Sequence, residues 1–211
     1  MNARDPLLFA LVLAAGGSRR LGAPKQLLTF GGEALVRRAL RLAAGPCGGR
    51  SLLVLGAEYT RVLEAAGEVA RYFVVNEHWQ RGLSSSLVLG VECLPDDCDG
   101  LLVLLTDQPL VDETDLARLA AAWRSRPDAI AASRYGGRGG NECGDDGGDI
   151  LGVPAIFPRR LFPELRALTG DRGARPLIER HRHEVIAVEC RRAATDIDTP
   201  ADAAALAREG G

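Results

Sequence analysis

Residues 7–26 read LLFALVLAAGGSRRLGAPKQ: a wholly apolar run, 7–13, breaks into Ala14-Ala15-Gly16-Gly17-Ser18, then Arg19, Arg20, Leu21, Gly22, Ala23, Pro24, Lys25 and Gln26. Such a run feeding small residues reads as a buried strand entering a loop. Backbone N–H groups there can approach a ligand closely, because no side chains stand in the way. Arg19, Arg20 and Lys25 add three cations within seven residues. The ligand implied is a polyphosphate. Neither common phosphate loop is present. A Walker loop places its Lys directly after the last Gly and before Ser or Thr, whereas Lys25 stands three residues beyond Gly22 and precedes Gln26. The dinucleotide fingerprint G-x-G-x-x-G fails as well, since the glycines fall at 16, 17 and 22.

Outward from this stretch, short apolar runs recur at 52–55, 72–75, 101–105, 129–132, 153–157 and 185–188. They are near-continuous, as strands covered on both faces are. Helical patterns lie between most of them. Residues 33–44 place Leu35, Ala39, Leu42 and Ala43 on one side, and 112–124 open with Asp112 as N-cap and carry Leu116, Leu119, Ala120 and Trp123 at helical spacing. Alternating strands and helices predict an α/β fold, a three-layer αβα domain with a mainly parallel sheet. Ligands bind beyond the carboxyl ends of such strands, so residues 14–25 and 106–109 are expected to meet there.

The 211 residues suit a single domain, and 46% hydrophobic content suits a sizeable core. A formal net charge of −2 argues against a nucleic-acid partner. No apolar stretch is long enough to span a membrane, and the polar start with its short apolar run does not suit a signal peptide; a cytoplasmic location is expected. Five cysteines without a C-x-x-C pair disfavour a disulfide framework or structural zinc, and most are expected to be small buried hydrophobes. Residues 134–152 hold eight glycines and four acidic residues. They read as an excursion, a Gly-rich acidic insertion at about 136–151, rather than a second domain.

Two further motifs carry chemistry. The run 101–105 ends in Thr106-Asp107-Gln108-Pro109, which sets a carboxylate at the end of a central strand, where it suits Mg²⁺, a hard cation that prefers oxygen. Asp107 opening a simple turn is the alternative. Gly170-Asp171-Arg172-Gly173-Ala174-Arg175 precedes Pro176; a glycine loop entering a helix makes an anion site, and Arg175 adds a planar fork suited to phosphate. Near the end, Asp196-Ile197-Asp198-Thr199-Pro200 offers Thr199 or Asp198 as cap of a final helix with Pro200 in its first turn.

Leu13, Ala14, Ala15, Gly16, Ser18, Arg20, Gly22 and Lys25 fill every fixed position of the L-A-A-G-x-S-x-R-x-G-x-x-K signature. In this the chain resembles the MobA-like nucleotidyltransferases, with a Rossmann-like, GT-A-like fold. Pro24-Lys25-Gln26-Leu27-Leu28 and Asp107-Gln108-Pro109 are similar to the molybdenum cofactor (molybdopterin) cytidylyltransferase branch, and the resemblance covers nearly the whole chain, from Leu11 to Asp202. It implies nucleotide binding by Leu13, Ala14, Ala15, Gly16, Gly17, Ser18, Arg20, Lys25 and Asp107. Gly82 and Ser86, in the stretch 76–87, would lie near the base. Trp79 and His78 there suggest a stacking pair, though a packing Trp explains the sequence better. Asp171, Gly173 and Arg175 fall on the pterin side. A Mg²⁺ site of Asp107 and Asp198 is implied, with Asp196 the weaker choice. Family members run from Gly137 almost directly to Gly152, so the insertion is a departure on the second-substrate side.

The implied reaction is nucleotidyl transfer. The terminal phosphate of an acceptor attacks the α-phosphorus of a nucleoside triphosphate and pyrophosphate leaves. A phosphate monoester has a second pKa near ~6 and is mostly a dianion at neutral pH, so no general base is needed. Catalysis is then positioning and charge neutralisation, with Arg20, Lys25 and Asp107 as catalytic residues and Arg19 a solvent-facing helper. Guanylyl-transferring relatives tend to carry Gly where Ala15 stands, which favours CTP over GTP, although a methyl-scale change shifts selectivity by only ~1–3 kcal/mol. Molybdopterin is the expected acceptor and a molybdoenzyme the expected recipient of the product. Rival readings are GTP with molybdopterin, CTP with methylerythritol phosphate, a sugar phosphate acceptor, a nucleotide sensor, or a non-catalytic cofactor-binding chaperone.

Overall fold

The structure is a computed structural model that describes residues 5–136 and 150–209. In chain order its strands are β1 (Leu8–Ala14), β2 (Thr29–Phe30), β3 (Glu33–Ala34), β4 (Ser51–Leu55), β5 (Phe73–Val75), β6 (Gly100–Leu105), β7 (Ala131–Tyr135), β8 (Ile150–Pro158) and β9 (Ile186–Glu189). The α-helices are α1 (Leu35–Cys47), α2 (Tyr59–Ala66), α3 (Leu83–Glu92), α4 (Glu113–Ser125), α5 (Phe162–Arg166), α6 (Arg175–Arg180) and α7 (Pro200–Glu209). Seven strands form one sheet in the order β5-β4-β1-β6-β8-β7-β9. Its pairs are parallel except those of β8, which runs antiparallel to both β6 and β7.

The alternation of side chains along a strand divides the interior in two. Leu8, Ala10, Val12 and Ala14 of β1 join one core with residues of α1, α2 and α4. Leu11 and Leu13 join the other, with residues of α3, α5 and α6. Helices therefore cover both faces, the three-layer α/β arrangement expected. The edges are less covered: Ile186 and Val188 of β9 are half-buried while Ala187 and Glu189 face water, and Phe73 on β5 is exposed. Among the described residues no helix is long and apolar enough to cross a membrane. Cys47, Cys98 and Cys190 are buried free thiols and Cys93 is exposed; Cys143 lies outside the described residues.

Several boundaries differ from the expectation. Glu33 and Ala34 pair with β2 as a small hairpin instead of opening α1. α1 continues through Gly45-Pro46 to Cys47, which is fully buried, and stops where Gly48 turns left-handed, with its N–H bonded to Gly45 O. Asp112 does cap α4, accepting from Asp115 N at 2.9 Å while the Asp115 side chain returns the bond. β8 begins at Ile150, so residues 150–151 belong to the sheet rather than to the insertion. Of that insertion, residues 137–149 lie outside the described residues.

Candidate active site

β1, β4, β5 and β6 run in one direction, so the loops after them gather at one end of the sheet, over a cleft of about 810 Å³. The loop after β1 is shaped by bonds that pull its carbonyls away from the cleft. Gln26, 1% exposed, donates from Nε2 to Ala14 O at 2.9 Å and Gly16 O at 2.8 Å. Ala57 N–H donates to Ala15 O at 3.0 Å. Among the described residues nothing accepts from the N–H groups of Gly16 and Gly17, so the two donors can serve as a nest for an anion. Trp79 lies beneath: a Cβ on Gly17 would come within 2.8 Å of its ring. Ser18 takes a left-handed turn (φ 47°); its carbonyl accepts from Leu21 and Gly22, and its Oγ accepts from Lys25 N at 3.0 Å.

Lys25 thereby enters the cleft, and it meets Asp107 as the sequence led us to expect. Its Nζ donates to Asp107 Oδ2 at 2.5 Å and to Asp198 Oδ1 at 3.1 Å, while Arg20 donates to Asp198 Oδ2 at 2.8 Å. Burial alone would lower the Lys25 pKa, but the charges and hydrogen bonds of Asp107 and Asp198 hold it above its ordinary value. Asp198 is far away in sequence and reaches the site by main-chain contacts. Ile197 N donates to Asp107 O at 3.0 Å, and Ile197 packs with Leu35 and Leu206. Thr199 caps α7 in exchange with Asp202, whose Oδ2 also accepts from Asp198 N at 3.1 Å. The Asp198 carboxylate is thus left to the cleft.

Two carboxylates converging on one ammonium define a place for a single small cation. Asp107 Oδ1 is buried with no hydrogen-bond partner, so it has an oxygen lone pair to offer. Among the described residues no group of three or more His, Cys, Asp or Glu side chains is arranged for a metal. One or two carboxylates completed by water and phosphate suit Mg²⁺-like ions, and the donor set fits such an ion. Asp196 lines the cleft wall beside these acids. Lost hydration and the Asp107 charge push its pKa up to about 7.

The remaining expected residues divide between lining and support. Leu13, Ala15, Gly16 and Gly17 line the cleft, as do Gly82, Ser86, Asp171 and Arg175. Ala14, Ser18 and Gly173 do not: Ala14 is buried in the core, Ser18 serves Lys25 N, and Gly173 lies under Leu83. The Ala15 methyl, expected to crowd a purine edge, is 5% exposed and packs on Gly56, so its steric bias on the base is small. Ser86 Oγ accepts from Asn76 at 2.9 Å. Gly82 adopts φ +102°, and a Cβ there would lie 2.2 Å from Asp171 Oδ1 and 2.6 Å from Gly170 O. With Ser84 N donating to Gly170 O at 3.1 Å, this seam joins the start of α3 to the 170–175 loop. Arg175 pairs with Glu179 on its own helix at 3.0 Å. Trp79 packs under the loop, the role the sequence favoured for it, and Gln26 emerges as a support to which the motif reading assigned no role. Asp196 had a local signal, since Asp-Ile-Asp in extended chain sends both acids one way and Ile the other.

Residues 10–185 match the family model described as the MobA-like NTP transferase domain. Nicotine blue oxidoreductase of Paenarthrobacter nicotinovorans is 31% identical over 92% of this chain and 93% of its own length. The purine catabolism protein PucB of Bacillus subtilis is 29% identical over 83% and 82%. Among solved structures, Rv0371c of Mycobacterium tuberculosis superposes with a TM-score of 0.78 at 30% identity, covering 97% of this chain and 98% of that one. The same protein solved in complex with manganese gives 0.73 at 28% identity, covering 95% and 97%.

Proposed function

This chain belongs to the MobA-like NTP transferase family and is a nucleotidyltransferase, and we propose that it moves CMP from CTP to the terminal phosphate of a molybdopterin-type acceptor, with Mg²⁺ as cofactor. The observation that carries this reading is the Lys25 ammonium held between Asp107 and Asp198 beside the nest of Gly16 and Gly17. Cations for the polyphosphate and carboxylates for a metal lie there at contact distance.

In this reading the nest and Arg20 receive the β- and γ-phosphates, and Lys25 holds the phosphate oxygens on which charge grows as pyrophosphate leaves. Asp107 and Asp198 would hold the divalent ion, which supplies charge neutralisation at the α-phosphate. Manganese in the Rv0371c structure supports divalent-metal use. The acceptor phosphate, a dianion at neutral pH, attacks the α-phosphorus; one P–O bond forms, the bond to pyrophosphate breaks, and no side chain removes a proton. Asp171 and Arg175, across the Gly82 seam, would orient the acceptor. CTP is favoured by Asp107-Gln108-Pro109, which resembles the cytidylyltransferase branch.

Nicotine blue oxidoreductase, similar over nine-tenths of both chains, supplies a second reading, a redox activity. The paired carboxylates on Lys25 speak against it, because hydride transfer has no use for them. The experiment is pyrophosphate release with Mg²⁺ and molybdopterin, offering CTP, GTP and ATP in turn. Release confined to CTP is expected. Release with GTP alone moves the base assignment, and absence of release with all three overturns the molybdopterin reading.

A further inference from the structure

The loop after β1 offers N–H groups because its carbonyls are occupied elsewhere, and most of that occupation comes from one side chain. Gln26 Nε2 donates to Ala14 O and to Gly16 O, on either side of the carbonyl that Ala57 N–H holds. The amide has one workable orientation: reversed, its Oε1 would face two carbonyl oxygens. In the orientation adopted, Oε1 is buried without a hydrogen-bond partner. A side chain serving the core alone would not leave its acceptor unmet in order to hold two loop carbonyls. Gln26 also follows Lys25 directly in the short 3₁₀ turn Lys25–Leu27, so the same anchor sets where that ammonium enters the cleft.

We propose that Gln26 is a positioning residue for the polyphosphate. By pinning the Ala14 and Gly16 carbonyls it keeps the peptides of residues 14–17 from rotating an oxygen toward the anion, and it fixes Lys25 against them. This rests on the polyphosphate reading of the cleft, and the test separates the two.

The probe is inorganic tripolyphosphate with Mg²⁺, which needs neither base nor acceptor, measured by calorimetry well below the melting temperature. Gln26→Met keeps the length and removes both donors; binding is expected to weaken about tenfold, the scale of one to two lost hydrogen bonds. Gln26→Glu sets an anion against two carbonyls, yet regains one donor when protonated. Its deficit relative to the unaltered protein is expected to shrink as the pH falls from about 8 to about 6, where a buried carboxyl titrates. That pH dependence carries the test if the Met variant does not fold. Unchanged affinity in both variants, with only a lower melting temperature, would make Gln26 a purely structural residue and overturn the proposal. Failure of the unaltered protein to bind tripolyphosphate would remove the polyphosphate reading, and this inference with it.

Discussion

The two walls of the cleft are built differently. On the nucleotide wall the central groups are fixed by shared partners: the carbonyls of residues 14–16 are bonded inward, and Lys25 is held between Asp107 and Asp198. On the proposed acceptor wall Arg175 is half-exposed and, among the described residues, pairs with Glu179 on its own helix. Asp171 leans on Gly82. The difference teaches where selectivity is cheap to alter. A wall whose members share partners loses function as a unit when one is changed, whereas solvated residues on the other can change one at a time. In the function we propose, chemistry belongs to the first wall and the choice of acceptor to the second.

The largest effect is expected at Asp107. Asp107→Asn should lower pyrophosphate release by about 10³-fold while nucleotide binding persists. Retained turnover would break the comparison by taking Asp107 out of the chemistry, whereas a cofactor-binding chaperone would show no release before or after the change and would keep its binding. Lys25→Met should cost about 10²-fold in turnover, and it should also let Mn²⁺ alone bind more tightly, because two carboxylates lose the ammonium they share. Paramagnetic titration of the free protein reads this directly. Gly82→Ala tests the seam between the walls: a Cβ at φ +102°, 2.2 Å from Asp171 Oδ1, should lower stability by about 1–3 kcal/mol, seen as a fall in Tm. Arg175→Ala sharpens the contrast. We expect the acceptor KM to rise about tenfold with the nucleotide KM unchanged, and stability to move by less than about 0.5 kcal/mol, since the pair it loses is exposed. A change in the nucleotide KM would show the walls to be one unit.

The last effect is a pH slope. Burial and the Asp107 charge push the Asp196 carboxyl up to about 7, above its unfolded value, so the folded protein is expected to bind more protons across that window. Stability is therefore greatest below about pH 4 as far as this group is concerned, and its share is lost as pH rises through 7. Asp196→Asn should flatten the slope in thermal melts between those limits.

The nucleotide wall was largely legible in the sequence because its determinants are local. An apolar strand, a small-residue loop, and an Asp ending the central strand each announce themselves over a few residues, and the topology of a parallel sheet brings them together. What was not legible depends on direction and on distant partners. An apolar run such as 153–157 looks the same whichever way it crosses the sheet, so the reversal of β8 left no mark. Gly45-Pro46 reads as a helix end, but burial of Cys47 under the sheet sustains one more turn. Gln26 is a polar residue between Lys25 and Leu27, and only the fold shows it to be 1% exposed. On the acceptor wall, the loop glycines and Arg175 could be found, but not that Arg175 would turn to Glu179.

Tyr135 and Ile150 stand opposite each other as the last pair joining β7 to β8. Both residues are held by their own main-chain pairing, which is the same however many residues lie between them in sequence. Closing a longer loop between fixed ends costs only about 0.6 kcal/mol for each doubling of its length. At this rung the fold is expected to tolerate changes of length that the interior of β1 or β6 would not, so that a foreign segment grafted there should leave the register of the sheet unchanged.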